Sequence, residues 1–426
     1  MKGDLAAHMM AVLGGHKLRG KKTERVIVIR PFSGTHVVEL QLLKGDASID
    51  PLTHAQALAE VFEGATDGLG IRQAAATRIL FALAIEQNLT LQELRVLLLD
   101  RNALRARGER STIPDVRLFI RHRLDREAAA TLDGLAARAD ILLSVRAIRA
   151  ALHGPGLVDF RRMFLPGAIT ILDFSGAPLG ADGARRLLAS LLLTRVIWAG
   201  FDAPGGRKTS TVILADELQE ALTPYTERLI SRVLTTGRSF GLGLWSCHQS
   251  VTQLPSSLAS LLAANARIRL LFRTGADDAK AGAEYVPITG RVARAADGRG
   301  GPFLSHAEEL RLRIAELGKL PTRSFLIADR TAPFSPRIII APEFSPPVWD
   351  NLPMAVRDEV ERGAIGIPRN EALARLEAAE AELGTDPAPA VASEPIAGRP
   401  SRRQRTAVLP GASAAPIPKG RRGGMP

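Results

Sequence analysis

Residues 211–217 read Thr211-Val-Ile-Leu-Ala-Asp216-Glu217, an apolar run closed by two adjacent carboxylates. Aliphatic and β-branched side chains on consecutive positions fit a strand covered on both faces, as in a parallel sheet between helical layers. The next residues fit the same layering. Thr223-Pro224 starts a helix, because proline suits the first turn, where no amide hydrogen is needed. Tyr225, Leu229, Ile230, Val233 and Leu234 then fall on one helical stripe that should stop near Gly237. A second run, LGLWS at 242–246, ends in Cys247-His248-Gln249-Ser250. Strand, helix, strand in that order describes a parallel crossover, which brings the ends of both strands to one edge of the sheet.

Similar short runs occur at 25–30 (RVIVIR), 168–174 (AITILDF), 267–272 (RIRLLF), 324–328 (SFLIA) and 337–341 (RIIIA), and helical patterns separate most of them. An α/β layered core is the consequence. Between about residues 51 and 161 the pattern changes. Residues 73–87, 91–99, 114–124 and 126–152 carry helix-like apolar spacing with no intervening strand run, which reads as an all-helical insert. Thr90-Leu-Gln-Glu93 fits a capping box, and Pro114 fits a first helical turn.

The chain has 426 residues, 46% hydrophobic and 23% charged, enough for a sizeable core. Its formal net charge is +12, but residues 395–426 hold seven basic side chains and no acidic one, leaving 49 basic against 44 acidic elsewhere. The excess is mostly tail, so net charge alone gives little support for an anionic partner. One cysteine, Cys247, excludes an intramolecular disulfide framework and a thiolate zinc cluster, and fits a reducing compartment. The most apolar stretch, 187–199, is interrupted by Arg195 and is too short to span a bilayer. The eight histidines (8, 16, 36, 54, 122, 153, 248 and 306) show no metal-binding spacing. Aromatics, at 4%, do not interleave with basic residues, so any nucleic-acid contact should be directed at phosphate rather than stacked on bases.

The TVILADE stretch has Walker B form. At the carboxyl end of a parallel strand, Asp216 can hold Mg²⁺ through its water shell while Glu217 orients and polarises water for attack on a γ-phosphate. The bland alternative has Asp216 capping a helix and Glu217 decorating its first turn, and the stretch alone weighs these about evenly. Gly237-Arg-Ser-Phe-Gly241 spells the nucleophile-elbow pattern, but that device turns a strand into a helix, and here a helix comes first.

Taken in order, VILADE, TTGRSFGLGLWSCHQSVTQLP and NARIRLLFRTGADDA resemble the Walker B strand, the helix end with its GR-x-x-G turn and sensor strand, and the following strand of FtsK/HerA-type ring ATPases. The likeness is to the DNA-pumping and type IV secretion coupling-protein branch, and it runs from Met1 to about Ala341. It implies a RecA-like, additional-strand P-loop ATPase core with a mostly parallel sheet, using ATP and Mg²⁺ to drive DNA, or a DNA–protein substrate, through a ring. The resemblance further implies a homo-oligomer, a hexameric ring in such families, with Gln249 as γ-phosphate sensor and Arg238 as an arginine finger reaching a neighbour's nucleotide. It also implies a cytoplasmic location, at the inner face of the membrane through partners such as secretion-channel components.

One departure is large: no G-x-x-x-x-G-K-[ST] occurs. Gly205-Gly-Arg-Lys-Thr209 has the wrong order and precedes the Walker B strand. Met1-Lys-Gly-Asp-Leu5 instead resembles the D-P-K-G-D-L that comes after the P-loop helix in these ATPases, so the chain reads as N-terminally truncated. A misassigned start, a split gene and a degenerate subunit working beside complete homologous ones all fit that pattern. The expected divisions are a first part of the core at 1–60, the insert at 61–160, the second part of the core at 161–345, a helical extension at 346–383 and a disordered basic tail at 384–426. Two rival functions stay open: a non-catalytic scaffold subunit of such a ring, and a nucleic-acid-binding protein acting through its tail. The arginines at 101, 105, 107, 110, 117, 121 and 123 make the insert a candidate contact for DNA or a secreted substrate, although such runs are usually solvated helix surface.

Overall fold

The computed structural model describes residues 4–15, 25–44, 50–65, 70–126, 129–154, 156, 158–202, 210–284, 286, 292–294, 300–329, 331, 336–343 and 348–384. The expectations for Met1-Lys-Gly3, for Gly205-Gly-Arg-Lys-Thr209 and for the tail beyond Gly384 lie outside these residues. The chain divides into two compact units, Met1–Glu380 and Ala381–Pro426. Of the second, only the end of the last helix is described.

Helix α1 (Asp4–Gly15) precedes β1 (Val26–Ile29) and the two-residue β2 (His36–Val37). The helical region comes next: α2 (Pro51–Ala65), α3 (Ile71–Glu86), α4 (Leu91–Leu99), α5 (Arg101–Glu109), α6 (Pro114–His122), α7 (Ala129–Leu143) and α8 (Arg146–His153). Strand β3 (Ile169–Leu172) and the long α9 (Asp182–Asp202) lead to β4 (Thr211–Asp216), α10 (Pro224–Thr236), β5 (Leu242–Cys247), α11 (Ser256–Asn265), β6 (Ile268–Phe272) and α12 (Ala276–Glu284). The hairpin of β7 (Val292–Arg294) and β8 (Gly300–Phe303) precedes α13 (His306–Gly318), β9 (Ser324–Asp329), β10 (Arg337–Ile340), α14 (Met354–Arg362), β11 (Ile367–Pro368) and α15 (Arg369–Gly384).

All seven apolar runs read as strands are strands. β1 pairs with β3 and β4 with β5, both in parallel, while β6, β9 and β10 form an antiparallel sheet and β11 pairs antiparallel with β2. The α/β class and the helical region between β2 and β3 are therefore as the sequence implies. Thr90 accepts from the Glu93 amide and Glu93 bonds back to the Thr90 amide, closing the capping box. Pro114 opens α6, and Thr223 caps α10 ahead of Pro224.

Two helical details differ from the pattern. The 126–152 reading divides into α7 and α8, because β-branched Val145 takes an extended backbone between them. Helix α5 has only Leu104 and Gly108 buried, too little for a periodic signal, and it is started instead by Asp100, whose carboxylate accepts from the Asn102 and Ala103 amides.

The core of α2 to α8 is continuous with β1 and α9: Ile27 and Ile29 share one buried cluster with Leu80, Leu94, Ile120, Leu132 and Leu188. A second cluster lies under β4 and β5, where Ile213, Ala215, Leu242 and Leu244 meet Leu229, Ile230 and Val233 of α10 and Leu258 of α11. Here the expectation of strands covered on both faces fails. β4 alternates half-buried and exposed residues, and Val212, Leu214 and Trp245 are exposed, because no described helix packs on the side opposite α10 and α11. β6 behaves alike, leaving Ile268, Leu270 and Phe272 exposed.

The C-terminal helices are clamped to the ends of β1 and β3 by a buried ionic group. Arg30 reaches Asp173 at 2.9 Å and Glu361 at 2.5 Å, and both carboxylates are almost fully buried. Thr35 donates its amide and hydroxyl to the second Glu361 oxygen, at 2.5 and 2.7 Å. Arg369 donates to the carbonyls of Gly34, Pro31 and Arg30 at 2.6, 3.0 and 3.1 Å. Removing one partner of such a group strands buried charge. Arg30→Ala should cost about 3 kcal/mol in urea unfolding, whereas Arg161→Ala, which breaks the half-exposed pair with Asp159, should cost under about 1 kcal/mol. Equal losses would show that the Arg30 group is not a clamp.

Candidate functional site

Parallel pairing sets the site. β4 and β5 run in register from Thr211 opposite Leu242 to Asp216 opposite Cys247, and the ladder continues one step beyond, where the Glu217 amide donates to the Cys247 carbonyl at 3.1 Å. Both strands therefore end together, as their α10 crossover requires. Asp216 is the last residue of β4 and is exposed. Glu217 then turns into the left-handed region, with φ 52° and ψ 50°. For a non-glycine residue that conformation costs about 1 kcal/mol or more. It swings the Glu217 side chain out of the strand's alternation, and the Gln249 Nε2 donates to its Oε1 at 2.9 Å.

This arrangement removes the bland alternative for the acidic pair. The helical turn after Glu217, Leu218–Ala221, has no side-chain cap, so neither carboxylate serves as one. Asp216 points to the exposed face of the strand pair, the same side as Cys247 in the adjacent strand. An exposed carboxylate oxygen at a strand end fits Mg²⁺, which takes one or two carboxylates and fills its remaining positions with water and phosphate oxygens. Among the described residues, no group of three or more His, Cys, Asp or Glu side chains could hold a metal by itself. An Mg²⁺ here would thus depend on a phosphate-bearing ligand.

Arg238 stands elsewhere. It lies in the turn Gly237–Phe240 that precedes β5, is exposed, and is separated from Gln249 by the whole strand. At about 3.3 Å per residue, the six residues of β5 put it on the opposite edge of the sheet from the acidic pair of its own chain. Ser239 comes after a helix and before a strand, which excludes a nucleophile elbow.

Asp278 is a site residue that the sequence reading missed. Its Oδ1 accepts from the Ser250 hydroxyl at 2.7 Å and from the Val251 amide at 3.1 Å, anchoring the loop that carries Gln249 to the first turn of α12. The available signal was Ser250-Val-Thr-Gln253, which forms a reciprocal capping box. His248, next in line, has its pKa lowered by burial, against the pull of Asp278.

The arginines of the helical region are largely occupied within it. Arg101 donates to the Leu124 carbonyl, Arg117 to the Ser111 carbonyl and Arg107 to Gln87; Arg105 pairs with Asp125, and Arg123 lies over the Phe119 ring. Arg110 and Arg121 are exposed, with no such contact among the described residues. Most of the run is thus local bracing. No helix among the described residues is long and apolar enough to cross a membrane.

Cys247 reports on the acidic edge. Burial pushes its thiol pKa up, and the Asp216 charge beside it adds to the rise, since both disfavour the thiolate. Because the thiolate is the nucleophile, alkylation of Cys247 should increase with pH around a midpoint above that of free cysteine. Asp216→Asn removes the neighbouring charge, so the midpoint should fall and the rate at neutral pH should rise. An unmoved midpoint would separate the two side chains.

No family model matches the sequence, and no curated protein matches it. Solved structures do. VirB4 of Thermoanaerobacter pseudethanolicus aligns over 79% of this chain and 85% of its own, at 18% identity and a TM-score of 0.46. The plasmid coupling protein TrwB in complex with ADP and Mg²⁺ aligns over 74% and 72%, at 18% identity and a TM-score of 0.48. An unbound form of the bacterial conjugative coupling protein TrwB aligns over 72% and 71%, at 19% identity and a TM-score of 0.50. That last likeness is one of fold: the chain has the mixed α/β, RecA-like architecture of a conjugative coupling protein.

Proposed function

We propose that Asp216, Glu217 and Gln249 are the acidic half of a nucleotide-phosphate site in a ring motor of the type IV secretion coupling kind, which uses ATP to move DNA or a DNA–protein substrate. The observation that carries this reading is the 2.9 Å bond from Gln249 to Glu217 at the shared carboxyl edge of two parallel strands. That edge is where ligands of open α/β sheets bind. Asp216 would hold Mg²⁺, which would supply charge to offset the phosphates when bound. Glu217 orients and polarises the attacking water. Gln249, bonded to Glu217, answers to the γ-phosphate by exchanging that bond for one to a phosphate oxygen. The assembly is a homo-oligomeric ring, hexameric by analogy, at the cytoplasmic face of a membrane beside secretion-channel components. DNA is the translocated partner.

The test uses the chain joined to a phosphate-binding loop of this ATPase class. Glu217→Gln should lower ATP turnover by about 10²–10⁴-fold while nucleotide affinity, read by fluorescent-analogue displacement, stays within about threefold, as the swap keeps the side chain's size and removes only its charge. Unchanged turnover would refute the role of Glu217.

A second reading, in which the chain completes a neighbour's site, is favoured by Arg238, which is exposed on the edge away from its own acidic pair. An arginine acting in trans is worth about 10³–10⁵ in turnover. Mixed with a complete homologous subunit, the chain should raise ATP turnover, and Arg238→Ala should abolish that gain without changing assembly in sedimentation. A gain that survives Arg238→Ala would exclude a finger at this position.

A further inference from the structure

A residue in the left-handed region keeps that backbone only where its surroundings over-determine it. Glu217 is held from the strand side by β4 and by the bond from its amide to Cys247. The other side is fastened to a different element. The turn Leu218–Ala221, which follows Glu217 directly, meets α9 through three contacts of different kinds. Leu218 is buried in one cluster with Leu193 and Ile197. The fully buried Ser190 hydroxyl sits between the carbonyls of Arg186 and Ala221, at 2.8 and 3.0 Å. Arg185 Nη2 donates to Glu220 Oε2 at 3.0 Å and lies 3.2 Å from Asp182 Oδ1.

The Arg185 contact leads back to Glu217 through its own residue. The Glu220 amide donates to the Glu217 carbonyl at 2.9 Å, so the residue that Arg185 holds by its side chain is tied by its backbone to the left-handed one. Arg185 itself stands on firm ground. Ala184, Leu187 and Leu188 beside it are buried in the core that α9 shares with the helical region. The ion pair is shielded without being sealed, at 18% exposure for Arg185 and 29% for Glu220. It is therefore worth more than a pair in open water, and Asp182, 81% exposed, adds little to it.

We propose that Arg185 is a positioning residue for Glu217: by gripping Glu220 from α9 it fixes the turn on which the left-handed residue stands, and with it the place of the Glu217 carboxylate against Gln249. The sheet sets where the chain leaves β4, and the grip sets the direction in which it leaves. Because α9 is packed into the core of the helical region as well as that of β4 and β5, the grip makes the acidic edge depend on how the helical region is packed. Only the catalytic meaning of that placement rests on the proposed nucleotide site; the grip itself rests on bonds within the chain.

The experiment uses the full chain without nucleotide. Glutamine side-chain nitrogens are isotopically labelled for NMR, and the Gln249 resonance is identified by its loss in Gln249→Asn. Glu217→Ala, which removes the acceptor of the Gln249 bond, gives the reference position for a broken bond. Arg185→Ala should carry the Gln249 resonance most of the way to that reference. Glu220→Gln, which keeps the size of the side chain and removes its charge, should carry it as far. Arg185→Lys, which keeps a positive charge within reach of Glu220, should leave it near its original place. Amide exchange at Glu217 and Glu220 should quicken about fivefold in Arg185→Ala, the scale of a partly exposed ion pair, with exchange in β1 unchanged. The proposal is overturned by a Gln249 resonance that stays in place, by a shift that Glu220→Gln does not reproduce or Arg185→Lys does not rescue, or by exchange that quickens alike throughout the chain. Glu220→Gln leaves α9 and its core intact, so it decides the question even if Arg185→Ala does not fold. Unchanged turnover in Glu217→Gln would remove the nucleotide reading without touching these measurements, and an unmoved resonance here would leave the role of Glu217 standing.

Discussion

The in-register parallel pairing of β4 with β5 is the constraint on which the site depends. A parallel ladder fixes the two strand ends against each other, and the extra bond from the Glu217 amide to the Cys247 carbonyl holds the chain to the sheet at the point where it turns away. With it, the strain at one residue is converted into a fixed position for Oε1, within reach of the Gln249 amide. Asp278 does the equivalent service on the β5 side by accepting two bonds from the loop after Gln249. Glu217 and Gln249 are thus each placed by a backbone or loop anchor in addition to the bond between them.

Those anchors are held by unequal layers. Below β4 and β5, α10 and α11 supply a packed core, and α9 passes from that core into the larger one shared with the helical region and β1. Leu193 and Ile197 of α9 belong to the smaller cluster while Leu188, Leu191 and Leu192 belong to the larger, so one helix couples the helical region to the strands of the site. The ionic group around Arg30 fastens the C-terminal helices at the ends of β1 and β3. The scaffold is therefore rigid on one side of the site, and open on the other.

Much of this was legible in the sequence because its signals are local. Consecutive aliphatic residues marked seven of the eight described strands of four or more residues, β8 (Gly300–Phe303) being the exception, Thr223-Pro224 marked the start of α10, and strand order then put Gln249 beside Glu217 without any contact being known. The unread elements had weak local signals. β2 and β11 are two residues long and exist only because each meets the other across the chain, and α5 buries too few side chains to show a stripe. The left-handed turn at Glu217 was also invisible, since glutamate carries no local preference for it and its amide bond is to Cys247, far along the chain. Asp278 was overlooked because its role is set by a loop far from it in sequence.

The failed expectation about strand coverage is the informative one. An unbroken apolar run such as Thr211–Ala215 specifies two apolar faces, yet the described helices cover only one of them. Residues are not chosen apolar on both sides of a strand for the benefit of solvent: Val212, Leu214 and Trp245 would cost nothing as polar side chains if they faced water for the life of the protein. The periodicity of the sequence and the exposure in the structure are thus in conflict unless a further layer comes to lie on that face. The acidic rim gives the conflict a direction, because two carboxylates crowded at a strand end are stabilised by cations and by helix N-termini, and among the described residues none of either approaches Asp216 in a hydrogen bond or ion pair.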